Sequence, residues 1–406
     1  MKRTLAVLSA AVCLLMTGCS SDGGAENEWA PNIFTDATST AEKAPGGQDI
    51  SETVKDVRLT FAADYYLQGQ DENLRTACKA LIKGIGERQG IIDLSGLGIT
   101  KEQLGQLITL TVACVPELAM IDTGFKYSTD SDGLVADCRL KYIYGESEQK
   151  RMDTELENAV DVIVGSTIDT DIFERLKSFH DAIVGKCSYK ENAESPYTAY
   201  GCLCEGEAVC EGYSKAFMLL CEKSGIECIP VLGITPKDGG EAHMWNKIRV
   251  DDEWYNFDIT WDDPVSDIGE DYIRYDYFGL TDEEIARDHT EESDGLMKYP
   301  SATKTDLNYF IKSGLYIDDV SKADTVFSAA ISRKVFLSDK FVQVRCSDKQ
   351  VYDEVLDYEF SSYGGNAHIF ELLNRAALSA SSGFDPSTYS LSKNEGSLTL
   401  TLILEL

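Results

Sequence analysis

A mixed α+β architecture with more than one folded unit is what this sequence predicts, and three observations carry the prediction. The chain has 406 residues, of which 43% are hydrophobic, which is more than one ordinary core accommodates. Helix-spaced apolar runs with capping signals recur through its first half, as in Asn73–Gly84 and Asp171–Val184. Strand-like runs follow, from His243 to Thr260 and again beyond Ser301.

The first segment is a targeting sequence. Lys2 and Arg3 precede an apolar stretch from Leu5 to Leu15, too short for a stable transmembrane helix. It ends in Leu15-Met16-Thr17-Gly18-Cys19, which resembles a bacterial lipobox and implies a lipidated Cys19 behind a signal peptide of residues 1–18. An ordinary secretory leader with a coincident cysteine is the alternative. Residues 19–50, rich in Gly, Ser and Ala, read as a flexible tether between lipid and folded body.

Residues 51–165 are expected to form a mixed, helix-rich accessory region. In Asn73–Gly84, Leu74, Ala77, Cys78, Leu81 and Ile82 fall on one face and Gly84 serves as the stop. Thr100 and Gln103 form a capping box for a helix through Leu104, Leu107, Ile108 and Val112. Residues 166–300 form the informative domain, opened by an amphipathic helix with Phe173, Leu176, Phe179 and Ile183 on one stripe. His180 beside that stripe reads as structural. Residues 301–406 read as a small α+β domain, with short β-rich runs at Lys334–Leu337, Phe341–Val344 and Ser397–Leu404 and a helix near Ala367–Leu378.

Charge excludes some partners. The formal charge is −32, and loss of Lys2 and Arg3 with an acid-free leader lowers it to −34. Nucleic acid and anionic lipid both demand basic surface, so neither is expected as a charge-driven partner. Twelve cysteines are present, two of them (Cys13 and Cys19) in the leader or at its end. Export permits disulfides without requiring them. Cys202, Cys204, Cys210, Cys221 and Cys228 are crowded, but their spacing is not a paired C-x2-C framework. No structural metal and no cofactor is expected.

The chemistry concentrates at Val209-Cys210-Glu211-Gly212-Tyr213, which opens a helical pattern to about Ser224, stopped by Gly225. A cysteine at a helix N-terminus meets unpaired N–H groups and the positive end of the helix dipole, both of which favour the thiolate. Downstream, His243–Val250 and Glu253–Thr260 read as two strands joined by a two-residue turn at Asp251-Asp252. In that register His243 faces Thr260, Asp258 faces Trp245, and all four share one face. A carboxylate there can orient the imidazole, and the imidazole can take the thiol proton. Trp245, Trp254 and Trp261 read as strand aromatics packing the core, and Asp262-Asp263 as an acidic turn before Pro264. His289 is expected to cap or pack locally. His368 has no visible partner.

Three linked motifs then define a resemblance. Ala208-Val209-Cys210-Glu211-Gly212-Tyr213, Ala242-His243-Met244-Trp245-Asn246 and Trp254-Tyr255-Asn256-Phe257-Asp258-Ile259-Thr260-Trp261-Asp262 resemble, in order, the C-x-G-Y, H-x-W-N and W-Y-x-x-D-x-T-W-D motifs of the bacterial transglutaminase-like superfamily. The likeness covers about Asp171–His289, with Met244 standing where a small or aromatic residue is frequent. It implies a papain-like α+β core with Cys210 as nucleophile, His243 as base and Asp258 as orienting acid. The implied activity is acyl transfer or hydrolysis on peptide or glutamine-like amides, hydrolysis being the favoured outcome. A cysteine peptidase or amidase acting on cell-wall or extracellular peptides, and a non-catalytic binding scaffold, are the alternatives. The expected partners are a protein or peptide substrate and, through the N-terminal lipid, the membrane at the bacterial cell surface.

Overall fold

The computed structural model describes residues 49–118, 121, 124–236, 240–263, 272–361, 367–379 and 384–406. The leader, Cys19 and all but the last two tether residues lie outside these. Among the described residues no helix is long and apolar enough to cross a membrane. The chain divides into two compact units, one running to Asp252 and including His289–Ser301, the other comprising Glu253–Asp288 and Ala302–Leu406.

After a short helical turn at Ile50–Thr53, the first unit carries helices α1 (Phe61–Leu67) and α2 (Glu72–Gly86), N-capped by Thr60 and Asp71. Helix α2 runs past its expected stop. Gly84 is interior, and a Cβ there would come within 2.5 Å of the Ile92 side chain, so this glycine makes room for packing. Ile92 lies on β1 (Ile91–Asp93). Helix α3 (Lys101–Cys114) starts at the predicted capping box, with the Thr100 side chain accepting from Gln103 N–H and the Gln103 side chain accepting from Thr100 N–H. Strands β2 (Lys126–Thr129) and β3 (Val135–Arg139) complete a small antiparallel sheet in the order β1-β3-β2.

Helices α4 (Glu146–Gly165) and α5 (Ile172–Val184) lead into the central part of the unit. Asp171 caps α5, and Phe173, Leu176, Phe179 and Ile183 are buried as the stripe requires. His180 is fully buried, its Nδ1 3.1 Å from Asp181 Oδ1. Helix α6 (Cys210–Lys223) then packs on two long antiparallel strands, β4 (Glu227–Thr235) and β5 (Glu241–Val250). Gly225 takes φ 70° just past α6, the left-handed conformation that ends a helix. Asp251 and Asp252 follow β5 with φ 51° and 65°, the pair of positive values that a two-residue type I′ turn needs.

The second unit opens with β6 (Glu253–Phe257) paired antiparallel to β7 (Phe278–Leu280). Its main body holds β8 (Tyr316–Ile317), helix α7 (Ala323–Leu337), β9 (Phe341–Cys346), helix α8 (Lys349–Val355), a π-helical turn (Leu356–Phe360), helix α9 (Ile369–Ser379), β10 (Asp385–Asn394) and β11 (Thr399–Glu405). The sheet order is β8-β9-β11-β10. Phe327 and Ile331 of α7 and Leu372 and Leu373 of α9 share one core with Val342, Val344, Leu400 and Leu402 of the strands. Lys334–Leu337, read as strand-like, is instead the last turn of α7. Val335 continues the helical spacing of Phe327 and Ile331, and that longer register overrides the local β preference of the short run. Ser338, at φ 54°, closes the helix.

Candidate active site

Cys210 is the first residue of α6, and Val209 before it supplies no side-chain cap. From Glu211 to Cys221 every residue of this helix is buried, whereas Cys210 is partly exposed. A buried helix thus carries a partly exposed cysteine at its positive end, where N–H groups favour a thiolate. Glycine at 212 is dictated by contact: a Cβ there would meet Pro196 O at 2.6 Å and Thr198 O at 3.0 Å. The Gly of the C-x-G-Y motif therefore lets the 195–198 segment close on the first turn. Behind it, Lys215 Nζ pairs with Glu211 Oε1 at 2.6 Å and also donates to Tyr197 O at 3.3 Å. This ion pair fixes the turn that carries the nucleophile.

His243 lies on β5 opposite Gly233 of β4 and is buried. Two hydrogen bonds tie its strand to α6. Ser214 Oγ donates to Trp245 O at 3.2 Å, and Asn246 Nδ2 donates to Ser214 O at 3.3 Å. The Asn of the H-x-W-N motif therefore docks the strand on the helix one turn below Cys210. The Trp of that motif supports the imidazole, its ring stacked 6.2 Å from His243 at 22°. Gly233 clears space for this indole, since a Cβ there would lie 2.6 Å from Trp245 Cη2 and 2.2 Å from Thr290 O.

His289 is a residue whose part the sequence did not disclose. It is buried, with its ring 5.3 Å from His243 and 5.2 Å from Trp245. The expected local packing thus has a particular object, because His289 and Trp245 both pack against the His243 imidazole. The short strand Thr290–Glu291, antiparallel to β4, holds it there. The only legible signal was its place at the end of the motif-bearing segment.

Asp258 belongs to the second unit and is completely buried. The strand expected to reach Thr260 ends at Phe257. The cause is the Asp258 carboxylate, whose Oδ1 accepts from Thr260 N–H at 3.0 Å and Trp261 N–H at 3.2 Å. An Asx turn of this kind competes with strand hydrogen bonding. Asp258 N–H donates to Tyr277 O, and Tyr277 N–H donates to Asp262 Oδ1 at 2.9 Å. Asp262, read as part of an acidic turn before Pro264, is completely buried and locks this segment. Next to Tyr277, Asp276 accepts from Asn394 Nδ2 and Ser397 Oγ through Oδ2, and its carbonyl accepts from Arg345 Nη1. The C-terminal sheet thus anchors the segment that holds Asp258.

Two of the three tryptophans, Trp245 and Trp254, behave as expected of strand aromatics, whereas Trp261 lies beyond the strand end and is only partly buried. Trp245 and Trp254 are buried, and Trp261 meets Tyr277 edge-on at 5.2 Å. Burial, foremost, pushes several other thiols up: Cys78 and Cys204 to about 11, Cys138 and Cys346 to about 12, and Cys114 and Cys221 well above their usual range.

Cys210 at the start of α6 and His243 on the strand hydrogen-bonded to that helix thus sit on adjoining elements. In the comparison with families, residues 161–259 match the sequence model of the Transglutaminase-like superfamily. This α+β segment is a transglutaminase-like core, and Cys210, His243 and Asp258 all lie within it. Among solved structures, one described as a TGase is 10% identical, with TM-score 0.25, covering 37% of this chain and 53% of that one. Another, assigned as a cysteine protease of Cytophaga hutchinsonii, is 13% identical, with TM-score 0.23, covering 35% of this chain and 62% of that one. A third, assigned as a protease of Parabacteroides distasonis, is 12% identical, with TM-score 0.19, covering 32% and 29%. The chain thus spans less than two thirds of each of these structures. No protein of curated function matches the sequence.

Proposed function

We propose that the chain is a thiol enzyme of transglutaminase-like type in which Cys210 is the nucleophile, His243 its base and Asp258 the carboxylate that orients the imidazole. The reading rests on one observation above the rest: α6 is buried from Glu211 to Cys221 while Cys210, its first residue, is partly exposed. The position of all three residues inside the matched span supports it. His243 takes the Cys210 proton as sulfur attacks the carbonyl carbon of a peptide or glutamine-like amide. The tetrahedral adduct collapses to a thioester as His243 returns the proton to the leaving amine. The Cys210 N–H is a natural donor to the oxyanion.

Water then attacks the thioester and restores the thiol, releasing a carboxylic acid; an amine would yield a new amide instead. Hydrolysis is the favoured outcome because water is abundant and needs no dedicated pocket. The leader places this chemistry outside the cell, with Cys19 lipidated and the substrate an extracellular or cell-wall peptide. Offering a glutamine peptide with a labelled primary amine, and following both products, tests the acceptor. Acid release should exceed amine incorporation. The reverse ratio contradicts hydrolysis, and absence of both products across a peptide panel contradicts an enzyme. Mass spectrometry of the mature N-terminus should find an acylated Cys19; an unmodified terminus would remove the anchor.

A further inference from the structure

The second unit contains a side-chain cluster that the thiol chemistry does not use. His368, immediately before α9, faces two carboxylates from other segments. Its Nδ1 is 3.2 Å from Asp324 Oδ1, in the first turn of α7, and 3.2 Å from Glu359 Oε2, in the π-helical turn. One potential ligand atom from each residue lies within 4.8 Å of the other two. Glu359 is completely buried, whereas His368 and Asp324 side chains are 25% and 43% exposed, leaving the cluster open to solvent on one side.

An ion cluster does not satisfy these groups. A single Nδ1–H cannot serve two oxygens equally well, and Asp324 Oδ1 and Glu359 Oε1 are buried without a hydrogen-bond partner among the described residues. A buried, unpartnered carboxylate oxygen costs about 1–3 kcal/mol or more. Either a shared proton or a cation must compensate.

The geometry points to a divalent-cation site formed by His368 Nδ1, Asp324 and Glu359, of a donor set suited to zinc. Four-coordinate zinc with bonds of about 2.0–2.2 Å holds its ligand atoms about 3.4 Å apart, close to the 3.2 Å separations here. One imidazole and two carboxylates suit zinc better than calcium or magnesium, which favour all-oxygen shells. Ligation through Nδ1 turns Nε2 towards Glu371, whose Oε2 is 3.8 Å away, in the outer position where a carboxylate commonly fixes a ligating histidine. The π-turn places Glu359 inward while its neighbour Tyr358 is 47% exposed; such turns concentrate at functional sites. The cation would cross-link α7, the π-turn and the start of α9.

The test uses the full chain, stripped with chelator and titrated with Zn²⁺ alone. In the unaltered protein, diethyl pyrocarbonate modification of His368, mapped by mass spectrometry, should slow by at least about tenfold when Zn²⁺ is present. Calorimetry should show a zinc-binding event that weakens by at least about tenfold in Glu359→Gln and in His368→Gln but persists in His243→Ala. Equal modification of His368 with and without Zn²⁺ would overturn the site, whatever the variants do. So would zinc binding that survives both substitutions, which would assign it to thiols elsewhere.

Discussion

Two histidines sit in clusters built on opposite principles. His243 is buried among rings, stacked on Trp245 and packed against His289. His368 is a quarter exposed, with three carboxylates around its two ring nitrogens. Ring faces hold the His243 imidazole in one orientation, which suits a base that must accept and return a proton. Carboxylates commit the nitrogens and accumulate negative charge, which suits a proton or cation held in place.

The comparison breaks most visibly at His243. His243→Ala should lower turnover by at least about 10³-fold, because the thiol loses its base and the leaving amine its acid. Steady-state kinetics on any accepted peptide checks this, and unchanged turnover would end the assignment of His243 as base. Next in size is the ion pair behind the nucleophile. Lys215→Ala strands the buried Glu211 carboxylate and should cost about 3–5 kcal/mol in a denaturant titration; a cost below about 1 kcal/mol would mean that Glu211 finds another partner. A smaller change sharpens the role of the rings. Gly233→Ala forces a methyl against the Trp245 indole and Thr290 O, and should cost about 1–3 kcal/mol. Turnover should fall with it, since that indole supports His243. Full activity in this variant would show that the stacking does not position the base.

Much of the first cluster was legible because each motif residue has a local job. Asp258, for one, must close a turn on the amides two and three residues on. Short-range demands of this kind leave fixed spacings. The capping box of α3 and the Asp171 cap of α5 were readable for the same reason. His289 was not, because the ring it touches lies far away in sequence and no spacing rule links them. The His368 cluster was hidden more completely, its members coming from α7, the π-turn and the approach to α9. The end of β6 at Phe257 was missed because Asp258 was assigned to catalysis alone, while its carboxylate also caps the backbone. In α7, four residues of β preference were outvoted by the longer helical register they complete.

The central claim, that Cys210 is a nucleophile activated by its surroundings, is tested most directly by limited alkylation across pH with peptide mapping. Cys204 is the informative competitor, since it too is partly exposed but is pushed up to about 11 by burial and by the Glu155 and Glu205 charges. A raised thiol is protonated below that value, so Cys204 should label appreciably only as the pH approaches it. Cys210 should label first at neutral pH, and His243→Ala should slow its labelling while leaving that of Cys204 unchanged. Labelling of Cys204 ahead of Cys210 at neutral pH, or a Cys210 rate indifferent to the loss of His243, would contradict the account.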